Sequence, residues 1–190
     1  MQTSINPSGQ PIGIAGQLAD SGDNDVMSGF SEETVNQIPF GCGVVAGTAD
    51  DGVKLPSTSG DTVDGASIFD DWHMPAGLND PSGNPSGDLG TTGIMPKGTI
   101  NRLHKGRFLA ALDVGTVVVP NVSRPFLRFR TDGANNVQPG TWAVAQDGGT
   151  NLIDCTRLGV FRSSAYTVNN PTGGSTLVAW LELDTTSRNS

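Results

Sequence analysis

Glycine or proline interrupts this chain at short intervals throughout: 26 Gly and 12 Pro in 190 residues, one residue in five. Globular proteins use about 12% of the two together. Each interior Gly or Pro costs a helix roughly 1 or 3 kcal/mol relative to Ala, so helical bundles and coiled coils are excluded. Collagen requires Gly at every third residue, which is absent. Nowhere do about 20 apolar residues run together, as a membrane-spanning helix needs. Hydrophobic residues make up 35% of the chain, enough for one core. What remains is an all-β protein with much loop, of sandwich, jelly-roll or related barrel type.

The punctuation divides the chain into zones. Residues 1–30 are rich in Gly, Asp and Ser, with apolar residues only at intervals (Ile5, Ile12, Ile14, Leu18, Val26, Met27, Phe30). Such a stretch cannot build a core and reads as an N-terminal arm that gains order by lying on something else. Residues 31–190 read as the β-rich domain. Within it, Gly41–Gly47 and Val53–Pro56 suggest a strand and its return. Residues 75–98 hold ten Gly or Pro and read as one long loop. The strand-rich body follows, with candidates at Ile100–Leu103, Phe108–Ala111, Thr116–Pro120, Pro125–Thr131, Gly140–Gln146, Thr156–Ser163 and Thr176–Leu183. Alternation sets Leu177, Ala179, Leu181 and Leu183 against Val178, Trp180 and Glu182, and puts Phe126, Arg128 and Arg130 on one face. The sole helical candidate begins at Ser31, a possible N-cap followed by Glu32 and Glu33.

Charge is distributed unevenly over the net −8. Residues 1–96 carry −12, residues 97–130 carry +6, and residues 131–190 carry −2. The positive stretch includes Arg102, Lys105, Arg107, Arg128 and Arg130. With a sequence pI near 4.5, nucleic acid is a poor partner for the whole molecule, because each phosphate is approached by an acidic body. An acidic protein surface, of the chain itself or of a neighbour, suits these bases better.

A search for chemistry returns little. No nucleophile elbow, P-loop, H-E-x-x-H or dinucleotide fingerprint is present. His73 and His104 have no nearby Ser or Cys nucleophile. Asp20, Asp23, Asn24 and Asp25 lack the closing Glu of a calcium loop and read as solvated turn residues. Asp70 and Asp71 are adjacent, so in an extended chain they point apart rather than forming a carboxylate pair. Cys42 and Cys155 are too few for a disulfide scaffold or zinc site and read as reduced, buried small residues. Neither catalysis, a cofactor nor a metal is expected. Met1 to Gly16 lacks the basic and apolar regions of a signal peptide, so synthesis in a cytoplasm is expected.

Several segments in their order carry a resemblance. They are Gly13–Asp20, Ile38-Pro-Phe-Gly-Cys-Gly-Val-Val45, Val53-Lys-Leu-Pro56, Gly115-Thr-Val-Val-Val-Pro120, Asp154–Phe161 and Leu177–Leu183. Together they resemble the structural cement, or head decoration, proteins of tailed bacteriophages, over residues 10–185. The stretch Asp64–Trp72 departs from the family's usual Phe-x-Gly-Ile, and the loop at 75–98 is longer than expected. The resemblance implies a β-rich virion protein, made in the bacterial host cytoplasm. It would sit on the outer face of the capsid, bind the major capsid protein, bridge capsomers and act as a dimer or trimer, without membrane or direct nucleic-acid contact. Capsid or subunit contacts are expected from Ile5, Ile12, Ile14, Leu18 and Phe30 of the arm. A second set, Arg102, Lys105, Arg107, Arg128 and Arg130, is expected to dock on acidic neighbours. The competing reading is a carbohydrate-binding β-domain of a phage fibre or lectin, which would need Trp72, Trp142 or Trp180 exposed beside Asp70 and Asp71.

Overall fold

The computed structural model describes residues 15–19, 23–69, 93–129, 138–144, 151–169 and 175–186. Among them every strand is short except two. The first half contains β1 (Asp25–Ser31), β2 (Ile38–Pro39), β3 (Gly43–Ala46), β4 (Gly52–Lys54) and β5 (Val63–Ser67). Next come β6 (Gly93–Ile94) and the long β7 (Thr99–Ala111). The remainder holds β8 (Phe126–Arg128), β9 (Trp142–Ala143), β10 (Leu152–Asp154), β11 (Gly159–Phe161), β12 (Tyr166–Asn169) and the long β13 (Ser175–Asp184).

Five of these close on themselves. Following the pairings, β1 joins β4, β4 joins β3, β3 joins β5, β5 joins β7, and β7 returns to β1. The β1–β4 contact is parallel, with Phe30 opposite Gly52, and the other four are antiparallel. Closure removes the open edges that make a lone sheet prone to aggregate. The all-β expectation thus resolves to a small barrel with an extension, since β13 pairs with the second half of β7 and carries β11 and β12 on its far side.

β7 is the spine. The sequence reading broke it into two strands around Lys105-Gly106, where charge and glycine imitate a turn. In the structure the chain runs straight through. Gly106 has φ +138°, and a Cβ there would collide with the Asn24 side chain, so only glycine keeps the strand continuous. Beyond it, Phe108 and Ala110 face the main core with Ala179, Leu181, Leu183, Trp142 and Phe161. Leu109 and Ala111 face a smaller cluster with Cys42, Val168 and Val178. Period-2 alternation on β7 and β13 therefore feeds two cores at once.

Three other expectations change. Residues 31–35 form no helix: Ser31 is buried and its Oγ accepts from the Glu33 amide, closing a local turn. Thr116–Pro120 is irregular, its β-rich composition notwithstanding. Where the arm of residues 1–30 is described, it lies in the body's own sheet. Gly16 donates to the Leu109 carbonyl (2.7 Å), Leu109 donates to Gln17 (2.9 Å), and Asp25–Ser31 is a barrel strand.

Candidate functional site

The bases expected to dock on acidic neighbours separate into two environments. Arg102 is buried inside the barrel wall. Its Nε lies 2.7 Å from Asp64 Oδ2 and 3.1 Å from His104 Nε2, and its Nη1 donates to the Asp51 carbonyl (3.3 Å). Arg128 is likewise buried, with Nε paired to the Asp113 carboxylate, which also accepts from the Thr141 hydroxyl. These two arginines tie strands together and are not presented to a partner. Leu18 bridges to Phe108 and packs on the main core. Ile5, Ile12, Ile14 and Arg130 lie outside the described residues, as does the loop from 75 to 92 with Asp70, Asp71, Trp72 and His73 before it.

Lys105 and Arg107 do reach the surface, where they meet Arg124 and Arg157 around a groove of about 470 Å³. Its walls come from β7, β11 and the end of β13, which the antiparallel register sets side by side. Glu182 lies between Arg107 (3.3 Å) and Arg162 (2.9 Å), and these bonds hold its carboxyl below the usual range. Lys105 is 3.7 Å from the exposed Asp23. Arg124 donates to the Gly159 carbonyl (3.2 Å), and Arg157 makes no hydrogen bond or ion pair among the described residues. Arg124 belongs to the positive stretch of the sequence but not to its expected contacts, and Arg157 and Arg162 lie outside that stretch. Only pairing β11 with β13 brings them to Lys105 and Arg107.

Beside the groove runs a second surface that composition did not reveal. Val114, Val117, Val119 and Val122 are all exposed, Val114 completely. The segment is nonetheless fixed. Asp113 anchors its start, Val118 is buried beneath it, and Ser123 Oγ accepts from the Val119 amide (2.9 Å). Asn121 adopts φ +62°, donates its amide to Phe161 (2.7 Å) and accepts from Arg162 (2.9 Å). Four apolar side chains are thus held outward on an ordered loop. On β1, Val26, Met27 and Phe30 are also partly exposed.

A family model described as "Structural cement protein (E217 gp24/Pam3 gp6)" matches residues 1–178. The chain belongs to this phage structural cement family. Among solved structures it is similar to a chain in the capsid of Myoviridae phage XM1, at 14% identity and a TM-score of 0.52, over 90% of this chain and 89% of that one. At that identity the likeness concerns the fold. No curated protein sequence matches.

The two described tryptophans of the cement chain give no support to a sugar site, and Trp72 lies outside the described residues. Trp142 is fully buried, donates Nε1–H to the Gly41 carbonyl (3.0 Å) and meets Phe108 edge-on. Trp180 is half-buried against Val178 and its neighbours. Cys42 and Cys155 are buried free thiols. Among the described residues no three His, Cys, Asp or Glu side chains gather as metal ligands, and no helix is long and apolar enough to cross a membrane.

Proposed function

We propose that this cement protein binds the outer surface of a phage head, contacts the major capsid protein and bridges neighbouring capsomers, stabilising the shell against the pressure of packaged DNA. The family match over residues 1–178 carries the reading. The described geometry is consistent with it: a fixed loop of exposed valines beside a basic groove offers contacts to a protein surface. The role is structural, with no chemical step assigned to any residue. The protein acts as a small homo-oligomer, and many modest contacts repeated over a lattice give avidity that none has alone. It is made in the bacterial host cytoplasm and resides in the virion.

Of the expected contacts, Lys105, Arg107 and Phe30 remain available on the surface, with Ile5, Ile12, Ile14 and Arg130 outside the described residues. The test is co-sedimentation of the purified chain with undecorated heads. A saturating, fixed ratio to the major capsid protein is expected, reduced by Val117→Asp with Val122→Asp and by removal of residues 2–14. Removal should stop there, because Ala15–Ala19 pairs with β7 and its loss would damage the fold. No pelleting of the intact chain with heads refutes the reading.

A further inference from the structure

The β3–β4 hairpin has a feature that neither core nor barrel requires. Its tip, Thr48–Asp51, is closed by Gly47 N to Gly52 O (2.7 Å) and Gly52 N to Ala49 O (3.0 Å). Beneath it the Glu32 carboxylate accepts from the Thr48 amide (2.8 Å), the Ala49 amide (2.8 Å) and the Thr48 hydroxyl (3.0 Å). Gly47 and Gly52 leave room for that carboxylate, since a Cβ at either would run into it. Those backbone bonds hold the Glu32 carboxyl below its ordinary value, so it stays ionised. The result is a fixed projection bearing two adjacent acids. Asp50 and Asp51 are exposed, and their side chains make no hydrogen bond or ion pair among the described residues.

The groove on the same molecule has the opposite character. Glu182 already serves Arg107 and Arg162, Asp23 serves Lys105, and Asp184 accepts from Thr186. Arg124 lines the groove with no carboxylate partner among the described residues, and Arg157 acts on Asp154 through its field without forming an ion pair, leaving its guanidinium fork open to a second carboxylate. Guanidinium forks match carboxylates in shape as well as sign. The tip cannot turn into its own groove, because Arg102 holds the Asp51 carbonyl and Glu32 holds Thr48 and Ala49.

We propose that the Asp50–Asp51 tip of one copy docks in the groove of a second copy, with Arg124 and Arg157 receiving the two carboxylates. The contact rests on the reading that the protein is a homo-oligomer and names the surface that would make it one. Because the tip is held before contact, docking loses little chain entropy, and a small charged contact can then be specific. Exposed charges also make it sensitive to salt.

Two charge-reversed full-length variants test it by sedimentation velocity at low and high salt: Asp50→Lys with Asp51→Lys, and Arg124→Glu with Arg157→Glu. All four positions are exposed, so the fold is expected to survive, and amide protection at Thr48 and Ala49 verifies the hairpin. The expected result is self-association of the wild-type chain, weakened about tenfold or more in each variant alone. Mixing the two variants restores it, because a basic tip then meets an acidic groove and an acidic tip a basic one. Wild-type association left unchanged in either variant, or no recovery on mixing, overturns this contact and leaves the homo-oligomer reading standing. A wild-type chain that stays monomeric at every concentration overturns both.

Discussion

The burial of Arg128 makes a sharp claim: this residue holds the fold and does not serve as a docking charge. Its Nε is paired with Asp113, and both side chains are about one-tenth exposed. Arg128→Ala leaves the Asp113 carboxylate with the Thr141 hydroxyl and the field of its surroundings. Breaking a buried pair from one side costs about 3–5 kcal/mol, because the remaining charge is stranded away from water. For a chain of this size that corresponds to a fall of roughly 6–20 °C in Tm, at 2–4 °C per kcal/mol. Replacing both partners with apolar groups of similar volume, Asp113→Leu with Arg128→Met, removes the stranded charge and is expected to recover most of the loss. Urea unfolding followed by tryptophan fluorescence measures it, and Trp142 is a local reporter since its carbonyl accepts from the Asp113 amide (2.9 Å). If Arg128→Ala costs under about 1 kcal/mol, or the double variant is no better than the worse single one, the structural assignment of Arg128 fails.

Burial raises the Cys42 thiol from 9.0 to about 12. The unfolded thiol ionises first as pH rises, so stability is lost between those values, by about 2 kcal/mol at about pH 10.5. Cys42→Ala should show a shallower fall in urea midpoint across that window. Gly41 has φ +78°, and a Cβ would lie 2.8 Å from both the Gly16 nitrogen and the Leu109 oxygen. Gly41→Ala is therefore expected to destabilise by about 3 kcal/mol or more. Gly115→Ala, at φ +80° with nothing within 4 Å, should cost only about 1 kcal/mol by the same denaturation measurement. For Glu32 the lowered carboxyl means its hold on the hairpin is complete above the ordinary carboxyl value of 4.5 and is lost as pH falls through the depressed folded value. Glu32→Gln should accordingly speed hydrogen exchange at Thr48 and Ala49 at neutral pH, with little change elsewhere.

The parts of this fold that follow from strict alternation are visible in the chain. Leu177, Ala179, Leu181 and Leu183 share one face of β13 in the structure, as their spacing requires. Features that depend on a distant partner are not visible. Lys105-Gly106-Arg107 resembles a turn until Asn24 is known to fill the space a side chain would take. Glu32 and Glu33 suit the start of a helix equally well, and only the return of β4 shows Glu32 bonding the hairpin tip and Glu33 the Leu55 amide. Arg102 and Arg128 read as surface bases because their carboxylates, Asp64 and Asp113, are 38 and 15 residues away. Gly115-Thr-Val-Val-Val-Pro120 has strand composition but no strand partner among the described residues, so its propensity is spent on an irregular, largely exposed loop.

The two exposed features share a construction that bears on how a cement protein could work without a deep site. Beneath the valine loop lies the Asp113–Arg128–Thr141 group, and beneath the acidic tip lies the Glu32 carboxylate. In both places buried or clamped polar bonds fix exposed backbone, with the buried Val118 adding an apolar anchor beneath the valine loop. The Asp113–Arg128 pair also supports the fold itself, yet neither set of bonds needs to fix an exposed segment that is idle, since a free surface loop gains entropy by moving. Their effect is to hold apolar or charged groups outward in one geometry before any partner arrives. A contact formed from such a surface gives up less order on binding, and its small gain is kept at every repeat of a lattice. The barrel therefore matters chiefly as a mount, with β7 carrying the clamp for the tip through Arg102 at one end and a wall of the groove through Arg107 farther along.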